Sequence, residues 1–398
     1  MSDAGMKRYY LDHNATTPLD ERVRVVMEPY QRGLVGNPSS LHAEGRRARG
    51  AVDIARDQVA ALLGAKPSEI IFTSGGTESC NLAVQGLALA HRARGQHVIV
   101  SAGEHHAVLH AAQALQQRHG FDVTFLPLQP DGRTDPDELR RALRDDTVLV
   151  SVMTANNETG VKSPVTAIGE ICADRSILFH TDAVQSAGKE PLRAQAWHVS
   201  ALSLTAHKFG GPHGAGLLYL HAGIPVARLM EGGAHENERR PGTENVAAIV
   251  GLAKALEFAT AESDAHNAAA FALTEQLWQE LAPLAPIRRN GHPTERLGNT
   301  LNVSFPDLHP EEFLIALDLA GLSVSSGSAC LVGSVQTSHV LQAMGNATLH
   351  PVEGRETTRG TDVMPATVRF SIGHDLSPAD ITEIATRVRT VVSHQRPA

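Results

Sequence analysis

Over the first two-thirds of this 398-residue chain, short apolar runs alternate with amphipathic stretches, and this alternation limits the fold more than any other feature. Residues 70–73, 97–101, 123–126, 147–153, 177–181 and 201–205 are apolar runs of strand length. Residues 52–63, 78–92 and 107–118 carry apolar side chains at helical spacing. Strands that take turns with helices are joined by crossovers, so the pattern predicts an α/β domain around a mainly parallel sheet.

After about residue 257 the pattern changes. A long amphipathic helix over 264–284 leads to a strand at 299–305, a helix at 310–320 and a strand at 322–324. A Ser/Gly-rich loop follows at 325–334. Residues 346–365 are polar with little periodicity, as in an exposed loop or insertion. A strand at 367–372 and a helix at 378–394 close the chain. This part predicts a smaller α+β domain. The expected division is an N-terminal segment, 1–15, packing with the small domain, a large domain over 16–257, and a small domain over 258–398.

Composition narrows the setting. Hydrophobic residues make up 42% and charged residues 20%, the balance of a soluble globular protein. A net charge of -8 argues against a general nucleic-acid binder. No apolar run reaches membrane-spanning length, and the first ten residues lack a signal-peptide core. Cys80, Cys172 and Cys330 lie far apart, with neither zinc-type spacing nor a disulfide framework. A reducing cytoplasm, with no membrane or nucleic-acid partner, is the expectation.

Five segments carry possible chemistry. Ser74-Gly75-Gly76-Thr77-Glu78 joins a strand to a helix with small residues, so backbone N–H groups can approach a phosphate at a helix N-terminus; a tight turn with Thr77 as N-cap is the plainer alternative. Thr205-Ala206-His207-Lys208 ends an apolar strand beside a Gly-rich turn, where a desolvated lysine amine suits a Schiff base; a surface lysine is the commoner case. Asp182, after the strand at 177–181, can hold a pyridinium nitrogen protonated or cap a helix. In Glu104-His105-His106-Ala107-Val108-Leu109-His110 the spacing of His106 and His110 suits one metal on a helix face, but there is no His-Glu-x-x-His motif, and an imidazole stacked on a flat cofactor or a plain surface histidine is favoured over a metal. Cys330 ends Ser325-Ser326-Gly327-Ser328-Ala329-Cys330, where a loop thiol can be an exposed nucleophile or an inert half-buried cysteine.

Together, in this order along one chain, these segments resemble the cysteine desulfurases, fold-type I pyridoxal 5′-phosphate (PLP) enzymes of the class V aminotransferase family. Asn14-Ala15-Thr16-Thr17-Pro18, Gly36-Asn37-Pro38-Ser39-Ser40, Asn156-Asn157-Glu158-Thr159-Gly160, Asp182-Ala183-Val184-Gln185 and Arg240-Pro241-Gly242-Thr243-Glu244-Asn245 add to the match. It spans nearly the whole chain, and the His207-Lys208 pair and the Cys330 run are its most specific parts.

The resemblance implies a role for each matching residue. Lys208 corresponds to the lysine that carries PLP, and Gly76, Thr77, Thr205 and His207 to phosphate-binding positions. Thr243 matches one more, which in the family reaches across a homodimer into the partner's site. His105 corresponds to the imidazole on the ring, with acid–base duties, Asp182 to the pyridinium partner, and Gln185 to the group on the ring hydroxyl. Asn157 and Arg369 match residues that bind the substrate carboxylate, with Asn37 nearby. The implied reaction converts L-cysteine to L-alanine and leaves its sulfur on Cys330 as a persulfide, for delivery to an acceptor such as an iron–sulfur cluster assembly protein. No metal is implied.

This chain departs from the family pattern at His13, in the length of 346–365, and in Leu331-Val332-Gly333-Ser334 after the cysteine. The Cys330 loop has the long form. A selenocysteine lyase or another PLP-dependent C–S lyase shares the lysine and phosphate positions without needing Cys330. A sulfur-relay scaffold would instead bind its assembly partner and turn over little alone.

Overall fold

The computed structural model describes residues 6–33, 35–326, 338–345 and 365–396. The expected nucleophile, Cys330, and nearly all of the polar stretch 346–365 lie outside these residues. Strand β1 (Tyr9–Tyr10) comes first. A seven-stranded sheet follows from β2 (Ile70–Thr73), β3 (His97–Ser101), β4 (Asp122–Leu126), β5 (Thr147–Ser151), β6 (Leu178–Asp182), β7 (Ala201–Thr205) and β8 (Gly216–Leu220), in the spatial order β2-β8-β7-β6-β5-β3-β4. From β7 to β4 all neighbours run parallel, while β8 is antiparallel to both β2 and β7. Every residue of β3, β5, β6, β7 and β8 is buried, as expected of strands covered by helices on both faces.

The sequence pattern missed β8. Its Gly-Leu-Leu-Tyr-Leu run carries no alternation because both faces are covered, and the glycines before it disguise its start. Gly216 is required there. A Cβ on it would lie 2.5 Å from the Cα of Gly75, so the close approach of β8 to the turn after β2 depends on bare backbone at both positions.

A second sheet, β12-β10-β9, is antiparallel and comprises β9 (Arg288–Asn290), β10 (Thr300–Phe305) and β12 (Ala366–Ser371). Its core takes Leu301, Val303, Phe305, Phe313, Phe370, Ile384 and Val388, and also Tyr9 and Leu11 from the N-terminus. Strand β1 pairs in parallel with β11 (Leu322–Ser323), and Leu11 accepts from Ser371 N–H at 2.8 Å.

One helix, Val246–Leu281, links the two cores. It begins well before the expected start at 264, capped by Asn245 through the Ala248 N–H. Its first half buries Ile249, Leu252 and Leu256 in the large core. Its second half buries Ala270, Leu277 and Leu281 in the small one. The apolar face changes partner while the helix continues, so a boundary at 257 falls inside a rigid element.

Candidate active site

Strands β3, β5, β6 and β7 are mutually parallel, so their carboxyl ends lie side by side, the place where open α/β sheets leave a crevice. The chain places chemistry at each of these ends. Glu104 and His105 follow β3. Met153, Asn157 and Glu158 follow β5. Asp182 ends β6, with Gln185 just after, and Thr205 ends β7, with His207 and Lys208 next. Except for Glu104, these side chains line one cavity of about 320 Å³, closed by Asn14, Thr77, His339 and Arg369. A larger cleft of about 720 Å³ opens on the other side of Lys208. It lacks this convergence of Asp182, Gln185, His105 and Arg369.

Lys208 sits in a tight turn released by Gly210, whose φ of 81° favours glycine. Its Nζ donates to the carbonyls of Asn14 at 2.5 Å and Ala15 at 2.8 Å. Asn14 is a residue the sequence reading did not assign to the site. It is buried, its side chain donates to Thr300 Oγ1 at 2.9 Å and accepts from Asn299 Nδ2 at 2.9 Å, and its carbonyl also accepts from Gln185 Nε2 at 3.0 Å. It therefore ties the lysine to the β12-β10-β9 sheet, and its own contact with the lysine is through its backbone carbonyl.

At the turn after β2, Gly75 is the cap of the helix Gly76–Asn81 and offers no side-chain acceptor. Thr77 lies inside the helix, which removes the plain alternative of Thr77 as N-cap. The leading N–H groups therefore stay available. A Cβ on Gly76 would lie 2.9 Å from Val184 Cγ2, which keeps the approach to Asp182–Gln185 open only to glycine. Thr205 Oγ1 donates to Ala215 O at 3.1 Å, and His207 Nδ1 lies 3.1 Å from Thr16 Oγ1.

His105 caps the helix His106–His119, with Nδ1 accepting from Ala107 N–H at 3.1 Å. Its proton therefore belongs on Nε2. Burial first, and then the nearby Lys208 charge, lower its pKa to about 4, so the ring is neutral at pH 7. His207 is lowered to about 4 for the same two reasons and by His213. Burial raises the Asp182 carboxyl, opposed by the Val184 N–H, Cys80 and Lys208. Glu104, also unassigned from sequence, is wholly buried and pushed well above the carboxylate range by burial and by Asp182. Its Oε1 accepts from Met153 N–H at 2.6 Å.

Arg369, on β12, donates to Asp12 Oδ1 at 2.5 Å and Asn157 O at 2.9 Å. His339 rests its ring 4.7 Å from that of His106, which stacks on His110 at 4.9 Å. No signal in the sequence joins His339 to the other two. Among the described residues no group of three or more His, Cys, Asp or Glu side chains is arranged to hold a metal. Asn37 and Thr243 are exposed and do not line the cavity. Asn37 instead accepts from Ser39 N–H at 2.9 Å.

The sequence model of the aminotransferase class-V family matches residues 9–384. The chain is also 43% identical to the cysteine desulfurase IscS of Methanosarcina thermophila, over 98% of this chain and 93% of that protein. This chain belongs to the class-V aminotransferase family, in its cysteine desulfurase group. Among solved structures, a NifS-like protein superposes with a TM-score of 0.88 at 34% identity, covering 97% of this chain and 100% of that one. SspA in complex with cysteine matches with a TM-score of 0.76 at 33% identity, covering 92% and 99%. For this desulfurase-family chain, the fold-type I architecture expected from the sequence is the one observed.

Proposed function

We propose that this chain is a PLP-dependent cysteine desulfurase whose cofactor is held covalently by Lys208. Unpartnered polar atoms around that lysine carry the reading. Among the described residues, Gln185 Oε1, Asn157 Oδ1 and Arg369 Nε are buried without a hydrogen-bond partner, although burying such groups unpaired is costly. A cofactor and an amino-acid substrate supply the partners these atoms lack. The bare cradle at Gly75 and Gly76 and the uncapped helix start fit a phosphate. The donor set thus fits PLP from end to end: Gly76, Thr77, Thr205 and His207 at the phosphate, His105 over the ring, Asp182 at the ring nitrogen and Gln185 at the ring hydroxyl.

When bound, PLP serves as an electron sink for the substrate's Cα electrons. The residues do the rest. Arg369 and Asn157 grip the substrate carboxylate, where the guanidinium fork can take both oxygens. With the cofactor in place, the Lys208 amine would be the group positioned to remove the Cα proton and later return one. His105, neutral with its proton on Nε2, would offer that N–H as a hydrogen-bond donor to the substrate. The Cys330 thiolate attacks the substrate sulfur, so L-cysteine and a thiol become L-alanine and a persulfide. Both flanks of the segment bearing Cys330 are fixed beside the cavity: Ser325 pairs with Arg369 through the backbone, and Ser338 donates to Glu158 Oε2 at 2.5 Å.

A homodimer completes the site in this reading. Asn37 and Thr243 are exposed and do not line their own cavity, and their neighbours Ser39 and Glu244 line one surface hollow of about 390 Å³, as suits residues that serve a partner's site. The persulfide then passes to an acceptor such as an iron–sulfur cluster assembly protein, in a reducing cytoplasm that keeps Cys330 a thiol. Among the described residues no helix is long and apolar enough to cross a membrane.

Purified protein given L-cysteine and a thiol reductant should release alanine, and Cys330→Ala should abolish release while keeping the bound cofactor's visible absorption. Full alanine release by Cys330→Ala would remove the sulfur-transfer half of the proposal. Protein that takes up no PLP would remove the other half.

A further inference from the structure

Cys80 is wholly buried on the helix Gly76–Asn81 and lies outside the expected chemistry. Its Sγ is 3.5 Å from Asp182 Oδ2. The other oxygen, Oδ1, accepts from Val184 N–H at 2.9 Å. Cys80 is thus the one side chain among the described residues that donates to the Asp182 carboxylate. Ser203 Oγ lies 2.9 Å from His180 Nε2, and His180 Nδ1 lies 2.8 Å from Ser151 Oγ. Ser151, His180 and Ser203 are all buried, so a polar line crosses β5, β6 and β7, and its Ser203 pairs in register with Asp182.

We infer that Cys80 is a positioning residue: its S–H orients the Asp182 carboxylate and couples it to the helix that begins at the phosphate-binding turn. This rests on the PLP reading above. A thiol suits the task because it is a weak, neutral donor. It fixes one oxygen without adding charge and leaves the carboxylate free to bind a pyridinium. Because the same short helix presents Gly76 and Thr77 at its start and Cys80 a turn later, a shift at the phosphate end is felt at the ring-nitrogen end.

The experiment compares holoenzyme with Cys80→Ala and Cys80→Ser. The infrared S–H stretching band lost in Cys80→Ala should lie below that of an unbonded thiol and move in Asp182→Asn. PLP retention should weaken about fivefold in Cys80→Ala, the loss expected of one modest hydrogen bond, and recover in Cys80→Ser. The absorption of bound PLP should change its pH dependence in Cys80→Ala only. An S–H band at the unbonded position, or Cys80→Ala matching wild type in retention and pH dependence, overturns the inference. If Cys80→Ala fails to fold, the response of the band to Asp182→Asn decides alone. If wild type binds no PLP, the cofactor reading falls while the band still tests the Cys80–Asp182 bond.

Discussion

On the sheet side of the cavity, Asp182 and Thr205 are the last residues of strands buried along their whole length, so the local backbone sets their positions. On the opposite side, Arg369 is held by Asp12, 357 residues away, and Asn14 by Thr300, 286 residues away. The first wall exists once the large sheet forms. The second exists only when the N-terminal segment and the small domain are docked against it. Cofactor anchoring and substrate-carboxylate binding therefore belong to different parts of the folded energy, and perturbing each should leave different signatures.

The largest expected effect is at the sheet wall. Lys208→Ala should lower alanine release by about 10²- to 10⁴-fold, the range for losing a positioned acid–base group, with PLP no longer covalently retained after denaturation and with the thermal midpoint of the cofactor-free protein little changed. Arg369→Ala should raise KM for L-cysteine about 10- to 100-fold, as for a lost charge-assisted hydrogen bond of about 1.5–3 kcal/mol. It should also lower the thermal midpoint, because Asp12 loses its buried partner. Arg369→Lys should fail to restore either property, since one ammonium cannot reach Asp12 and Asn157 in the fork geometry. A variant at Lys208 that destabilises the fold, or one at Arg369 that does not, would erase the contrast between the walls.

Asn14→Ala probes the joint between the walls. The side chain makes buried hydrogen bonds to Thr300 and Asn299, so its loss should cost on the order of 2–3 kcal/mol in chemical denaturation. Bound PLP should keep its absorption, because the Lys208 contact runs through the Asn14 carbonyl, which alanine also has.

The difference between the walls also explains what the sequence revealed. Strands such as His97–Ser101 and Ala201–Thr205 announce themselves as apolar runs, and residues at their ends, such as Asp182 and Lys208, stand out by type and by place. Asn14 does not, because its contact with the lysine is a backbone carbonyl. Glu104 was hidden beside His105: only its burial shows that it is held by a main-chain N–H rather than by water. The pairing of Arg369 with Asp12 and the approach of His339 to His106 join distant positions with no local pattern. Strand β8 was missed for the converse reason, that complete burial leaves no periodicity to detect.

The expected effect that vanishes at neutral pH concerns acid stability and also separates the walls. Burial lowers His180, on β6, to about 3, and His105 and His207 to about 4, against about 6.5 in an unfolded chain. Between pH 6.5 and 4 the unfolded chain thus binds protons at these sites that the folded protein refuses, so their contribution makes stability fall as pH falls through that window and vanish above it. Glu104, raised by burial, acts in the opposite sense above its unfolded value, so the net slope mixes the two. His180→Gln isolates one contributor, since an amide can still bond Ser151 and Ser203 but does not titrate. It should flatten the slope of stability against pH in that window by about one proton, or about 1.4 kcal/mol per pH unit, measured by denaturant unfolding at several pH values. An unchanged slope would mean that the sheet wall opens to water in acid, and that its rigidity is no greater than that of the docked wall facing it.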